Sequence, residues 1–171
     1  MSDTHTQPSA QRDHRPFAFL LAALIVLLDR LSKLWVVAHI AAGHAIVIIP
    51  RVFRITHVLN TGAAFSLFEE ARNPETIRWL LVAFSLLAAL VVVVLLVRMG
   101  RTLSATTIAL ALILGGAVGN LYDRMKLGHV VDFLEVHIIH YHWPDFNVAD
   151  SAIVVGACLL LIEMLRPQRE A

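Results

Sequence analysis

Apolar residues fall into four long runs along the chain. The first occupies 17–28, is interrupted by Asp29-Arg30-Leu31-Ser32-Lys33, and resumes over 34–42. Crossing the hydrocarbon core of a bilayer takes about 20 residues, so 17–28 is too short alone. A single helix running on through the charged insert is expected. Asp29 and Lys33 then sit at i and i+4 on one helix face, where each neutralises the other. Residues 79–97 form the cleanest span, broken only by Ser85. Residues 103–122 form the third, with Gly115 and Gly119 spaced so that a neighbouring helix backbone can approach closely. Residues 149–165 form the fourth.

The connections differ in character. Residues 43–60 are rich in Val and Ile, are punctuated by Pro50, and partly alternate polar with apolar after Arg51. That pattern predicts short strands outside the membrane. Asn60-Thr61-Gly62 supplies turn chemistry. Residues 63–70, AAFSLFEE, read as a short amphipathic segment in the interface with Phe65 and Phe68 toward lipid, ended by Asn73-Pro74. Residues 125–148 are expected to form an external loop. The polar stretch 1–16 reads as a disordered tail, 17–166 as one membrane domain and 167–171 as a short tail. No small-residue cleavage site follows the first run, which weakens a secretory-signal reading. The predicted fold is an all-α integral membrane protein: a four-transmembrane-helix bundle with a small extracytoplasmic β-rich cradle and an amphipathic segment.

Composition agrees with this class. The 171 residues are 58% hydrophobic and 16% charged, with mean hydropathy +0.72. A soluble domain carries about 25% charged residues. The net charge of +1 gives no reason to expect a nucleic-acid partner. One cysteine, Cys158, cannot form an internal disulfide and is expected to be a small packing residue. Arg12, Arg15, Arg98, Arg101, Arg166 and Arg169 cluster at the two chain ends and the short 98–102 turn. The longer segments 43–78 and 125–148 are poorer in Lys and Arg for their length. The positive-inside rule then puts the termini in the cytoplasm and the long loops outside.

Carboxylates and amides at the ends of apolar runs are costly in lipid and mark function. Asp132 follows the third span and Asp150 opens the fourth. Helix ends brought together can pair them, and two carboxylates sharing a site retain one proton near neutral pH. Such a pair can deprotonate a water and protonate a leaving amine. Against this, Asn147-x-x-Asp150 has the spacing of a capping box. Asp123 also fits an ion pair with Arg124 or Arg30. Asn120 and Arg124, at i and i+4, fit either substrate binding or a mutual contact. His137, His140 and His142, with His129 upstream, raise a zinc reading, but lack the helical i, i+4 pair with an adjacent Glu used by zincins. A solvated loop is the plainer reading. No GxSxG motif supports a serine nucleophile.

Together these segments resemble one family, the bacterial lipoprotein signal peptidases, or signal peptidase II. The matching stretches are Asp29-Arg30-Leu31-Ser32-Lys33, Asn60-Thr61-Gly62-Ala63-Ala64-Phe65-Ser66, residues 115–124 (GGAVGNLYDR), Val130-Val131-Asp132-Phe133 and Phe146-Asn147-Val148-Ala149-Asp150. They occur in the family's order over about residues 17–166. The first sixteen residues match no family motif.

The resemblance implies an aspartic endopeptidase of the bacterial inner membrane, with its active site at the outer face. It implies removal of signal peptides from diacylglyceryl-modified prolipoproteins, cutting before the lipidated cysteine. It assigns Asp132 and Asp150 as the catalytic dyad. Asn60, Gly62, Asn120, Arg124 and Asn147 become substrate-binding or pocket-shaping residues, with Asp29, Lys33 and Asp123 in support. It implies no metal or organic cofactor, contact with membrane lipid, a monomer, and inhibition by globomycin at the same site. A proton-coupled transporter is the rival reading, but it places its carboxylate near the membrane midplane. A non-catalytic scaffold has no need of paired aspartates beside Asn120 and Arg124.

Overall fold

The computed structural model describes residues 13–62, 74–139 and 141–166. In chain order the elements are α1 (Arg15–His39), β1 (Ala45–Ile49), β2 (Phe53–Asn60), α2 (Pro74–Met99), α3 (Ala105–Lys126), β3 (Val130–Ile138), β4 (Tyr141–Phe146) and α4 (Val148–Leu165). The expected amphipathic segment 63–70 lies outside the described residues, as do 1–12 and 167–171 of the expected tails. Helix α1 starts at Arg15, two residues before the apolar run, with proline in its first turn. Proline is tolerated there because that N–H has no intrahelical partner.

By length and composition, Glu75–Met99, Ala105–Lys126 and Val148–Leu165 are long and apolar enough to cross a membrane. Helix α1 is equally long, but Asp29, Arg30 and Lys33 crowd its second half. Helix α3 is the hub of the bundle and packs against the other three. Its small residues make that possible. A Cβ on Gly115 would meet the Ala22 carbonyl oxygen at 2.7 Å, and one on Gly119 would meet Asp29 Oδ2 at 2.8 Å. A core of Ala18, Ala22, Ala89, Val92, Leu96, Leu110 and Leu114 fills the space between α1, α2 and α3. Large side chains such as Phe84, Leu87 and Leu90 point outward from α2, as suits a helix whose solvent is lipid. Cys158 is also exposed rather than packed in the bundle.

The sheet is larger than the sequence suggested. Its order is β1-β2-β3-β4, antiparallel throughout. Residues 125–148, expected as a loop, supply two of its four strands. Two features hide them. Most of β3 is buried on both faces, so VVDFLEVHI shows no clear alternation of polar and apolar residues. Strand β4 contains Pro144, which a central strand rejects but an edge strand tolerates, and β4 is an edge. Val131 and Phe133 of β3 pack on Val36 and Ile40 at the end of α1. His57 Nδ1 lies 2.7 Å from the Ile40 carbonyl oxygen, tying β2 to the same helix end. At the opposite end of the bundle the His14 N–H donates to the Arg101 carbonyl at 3.2 Å.

Candidate active site

Five chain segments meet where the sheet joins the bundle. Asp132 comes from β3 and Asn60 from the last residue of β2. Asn120 and Arg124 lie one turn apart on α3. Asn147 is the N-cap of α4, and Asp150 sits three residues in. Asn60, Asn120, Asp132 and Asn147 are all buried.

The capping box is real, with both of its bonds in place. The Asp150 N–H donates to Asn147 Oδ1 at 2.9 Å, and the Asn147 N–H donates to Asp150 Oδ2 at 3.2 Å. That leaves Asp150 Oδ1 to accept from Asn120 Nδ2 at 2.8 Å. Asp132 is held by two more amides: Asn60 Nδ2 donates to Oδ2 at 2.9 Å and Asn147 Nδ2 to Oδ1 at 2.7 Å. Asn147 thus bonds both aspartates, and Asn120 touches Asn147 at 3.3 Å. Burial and the nearby Asp150 charge raise the Asp132 carboxyl to about 7, against amide and Lys33 contributions that lower it. Desolvation and like charge both disfavour the ionised form.

Behind this amide layer lies a second layer of buried charge. Lys33, 1% exposed, reaches Asp29 Oδ2 and Asp123 Oδ2, each at 2.8 Å, and donates to Asn120 Oδ1 at 3.2 Å. The expected Asp29–Lys33 pair therefore forms, and it is anchored to α3 as well. Asp123 also takes Arg30 at 3.1 Å, which is one of the two partners its spacing suggested. Asp29 Oδ1 accepts the Ala149 N–H at 3.0 Å, fixing the start of α4 against α1. Arg124 does not pair with Asn120. Its Nη2 reaches the Gly62 carbonyl at 3.5 Å, and the Gly62 N–H bonds Asn60 Oδ1 at 2.9 Å. Asn60, Gly62, Asn120, Arg124, Asp132, Asn147 and Asp150, with Asp29, Lys33 and Asp123 behind them, are thus brought into one neighbourhood.

Other contacts were not legible in advance. Arg78 donates through Nε to the Arg124 carbonyl at 2.9 Å, closing the end of α3. A lone arginine before an apolar run gave no hint of that. Arg54 grips Glu135 across β2 and β3 with two hydrogen bonds. His137 and His142 converge on the same carboxylate, while His140 lies outside the described residues.

An apolar cavity of about 730 Å³ opens from the aspartates down the bundle. Asn60, Arg124, Asp132 and Asp150 line its polar end, and Phe84, Ala117 and Val154 line its walls.

Residues 21–166 match the family model of signal peptidase (SPase) II. A lipoprotein signal peptidase of Pseudomonas putida is 43% identical over 163 residues, covering 95% of this chain and 94% of that protein. One from Pseudomonas aeruginosa is 44% identical over 150 residues, covering 87% and 88%. A bacterial membrane enzyme solved by the in meso method at 2.3 Å resolution superposes with a TM-score of 0.81 at 25% identity, covering 94% of this chain and 98% of that one. The chain belongs to the signal peptidase II family and is an aspartic endopeptidase.

Proposed function

We propose that this protein removes the signal peptide from diacylglyceryl-modified prolipoproteins, cutting on the N-terminal side of the lipidated cysteine, with Asp132 and Asp150 as the catalytic pair. The observation that carries the reading is that Asn147 bonds both carboxylates at the mouth of an apolar cavity. A diacylated cysteine leaves its acyl chains among lipid, and such a cavity can accept the apolar substrate while the polar end receives the scissile bond. The carboxylate of the pair takes a proton from water, and the resulting hydroxide attacks the peptide carbonyl carbon. The protonated partner then gives its proton to the leaving amine. Asn60, Gly62, Asn120, Arg124 and Asn147 hold the substrate backbone or fix the aspartates. Asp29, Lys33 and Asp123 support them from behind.

In the bilayer, all four helices span. The sheet forms a cradle on the outer face of the bacterial inner membrane, and the termini are cytoplasmic. The contact between His14 and Arg101 supports this, because it joins the N-terminal end to the basic turn at the end of the bundle away from the sheet. The enzyme works as a monomer, and its chemistry needs no cofactor. The test is cleavage in lipid of a prolipoprotein with and without its diacylglyceryl group, with the new N-terminus read by mass spectrometry. Cleavage before the cysteine of the lipidated form alone, blocked by globomycin, is expected. Equal cleavage of the unlipidated form, or a cut elsewhere, contradicts the proposal.

A further inference from the structure

The β3–β4 hairpin carries a second cluster that the peptidase chemistry does not use. His137 of β3 and His142 of β4 are register partners, and directly opposed residues have their Cβ atoms about 5 Å apart. Their rings stand 5.1 Å apart between centroids. Both turn Nε2 toward one atom, Oε1 of the buried Glu135, at 2.9 and 2.7 Å. Two imidazole nitrogens and a carboxylate oxygen thus lie within 4.8 Å of one another. Glu135 and His142 line a cleft of about 400 Å³, with His44, Thr56 and Asp145 also in its walls.

We infer that Glu135, His137 and His142 form a binding site for a first-row transition dication of the zinc type, separate from the aspartate pair. Imidazole with carboxylate suits this class of ion, and two histidines with one glutamate are a sufficient protein donor set, the fourth position going to water. Zinc bonds such donors at about 2.0–2.2 Å, so donor atoms in a tetrahedral site stand roughly 3.3 Å apart. To admit it, the two Nε2 atoms draw back slightly from Oε1 and toward each other from within 4.8 Å. Each then ligates through Nε2 as the neutral tautomer that carries its proton on Nδ1.

Among the described residues, Arg54 is the arginine or lysine facing the cluster, and it lowers the affinity by repulsion. It also holds the Glu135 carboxylate ionised, below the usual range. Its Nε bonds Oε2, and its Nη2 bonds Oε1, the oxygen that the histidines share. An ion on Oε1 takes the place of the Nη2 bond, while the Nε bond to Oε2 fixes the carboxylate from behind, as outer hydrogen bonds commonly do around metals. A bound ion would link β4 to β3, the strand that carries Asp132, which gives the site a structural use.

The test is titration of the full chain, without a histidine tag and in detergent, with Zn²⁺ against a chromophoric chelator. One Zn²⁺ per chain is expected, with the dissociation constant rising at least about tenfold in His137→Ala and in His142→Ala. His39→Ala, on α1 and outside the cluster, should leave it unchanged. Zn²⁺ should raise the melting temperature of the wild type and not of the two cluster variants, which also verifies that they fold. No binding by the wild type, or a change of less than tenfold in either cluster variant, overturns the inference.

Discussion

Asn147 and Asp150 cap one another at the start of α4, and the capped carboxylate is also the one that faces Asp132. The two interpretations of the Asn147-x-x-Asp150 spacing, helix cap and catalytic group, are not alternatives. The cap uses Asp150 Oδ2, and Oδ1 is directed to Asn120. On the proposed assignment, a carboxylate fixed by a helix N-terminus keeps its rotamer without help from substrate, which is what positioning for proton transfer demands.

This double use predicts a separable stability effect. Asp150→Asn keeps the backbone bond to Asn147 but turns one acceptor oxygen into a donor facing another donor. We expect a loss of about 1–3 kcal/mol. Thermal unfolding in detergent should show a lowered but still cooperative transition. An unchanged melting temperature contradicts the observed geometry.

The Asp132 carboxyl sets the pH response. Its value of about 7 lies above the 3.8 of a free aspartate, so folding tightens its hold on a proton. Its contribution to stability is full below about pH 4 and is lost as pH rises through about 7. Catalysis by a singly protonated pair requires that same proton. Plotted against pH, kcat/KM should therefore decline on the alkaline side with an apparent pKa near 7, belonging to the pair. A rate still rising at pH 9 contradicts this.

Lys33 predicts a larger loss. It is buried between Asp29 and Asp123, so Lys33→Met leaves Asp29 without its cation and Asp123 with Arg30 alone. Breaking a buried pair in this way costs about 3–5 kcal/mol. Poor expression or a collapsed melting transition is expected. Asp123→Asn should be milder, reducing stability or binding more than the rate of the chemical step. Single-turnover rates at saturating substrate separate the two.

Gly119 tests the packing of α3. An added methyl would lie 2.8 Å from Asp29 Oδ2 and 3.4 Å from Ala149 Cβ. Gly119→Ala should displace α1 or α4 at a cost of about 1–3 kcal/mol. Because Asp29 bonds the Ala149 N–H, activity should fall with stability. A fully active, equally stable variant contradicts the close approach.

Much of this was legible in the chain, for reasons particular to lipid. A bilayer demands long apolar runs, so the helices α2, α3 and α4 stand out, and charges such as Asp29 and Lys33 stand out against them. The Asn147–Asp150 cap was legible because it is local, set by a spacing of three residues. The link from Lys33 through Asn120 to Asp150 was not, since it depends on how α1, α3 and α4 are packed. Strands β3 and β4 were missed because burial on both faces erased the alternation of one and Pro144 disguised the other. Glu135 joins Arg54 and two histidines only once those strands are paired.

The most direct measurement is cleavage of a diacylglyceryl-modified prolipoprotein in lipid by wild type, Asp132→Asn and Asp150→Asn, each verified as folded by its melting transition. Cleavage by the wild type that is lost in both variants is the expected result. A folded variant of either aspartate that retains wild-type cleavage contradicts the assignment of the pair.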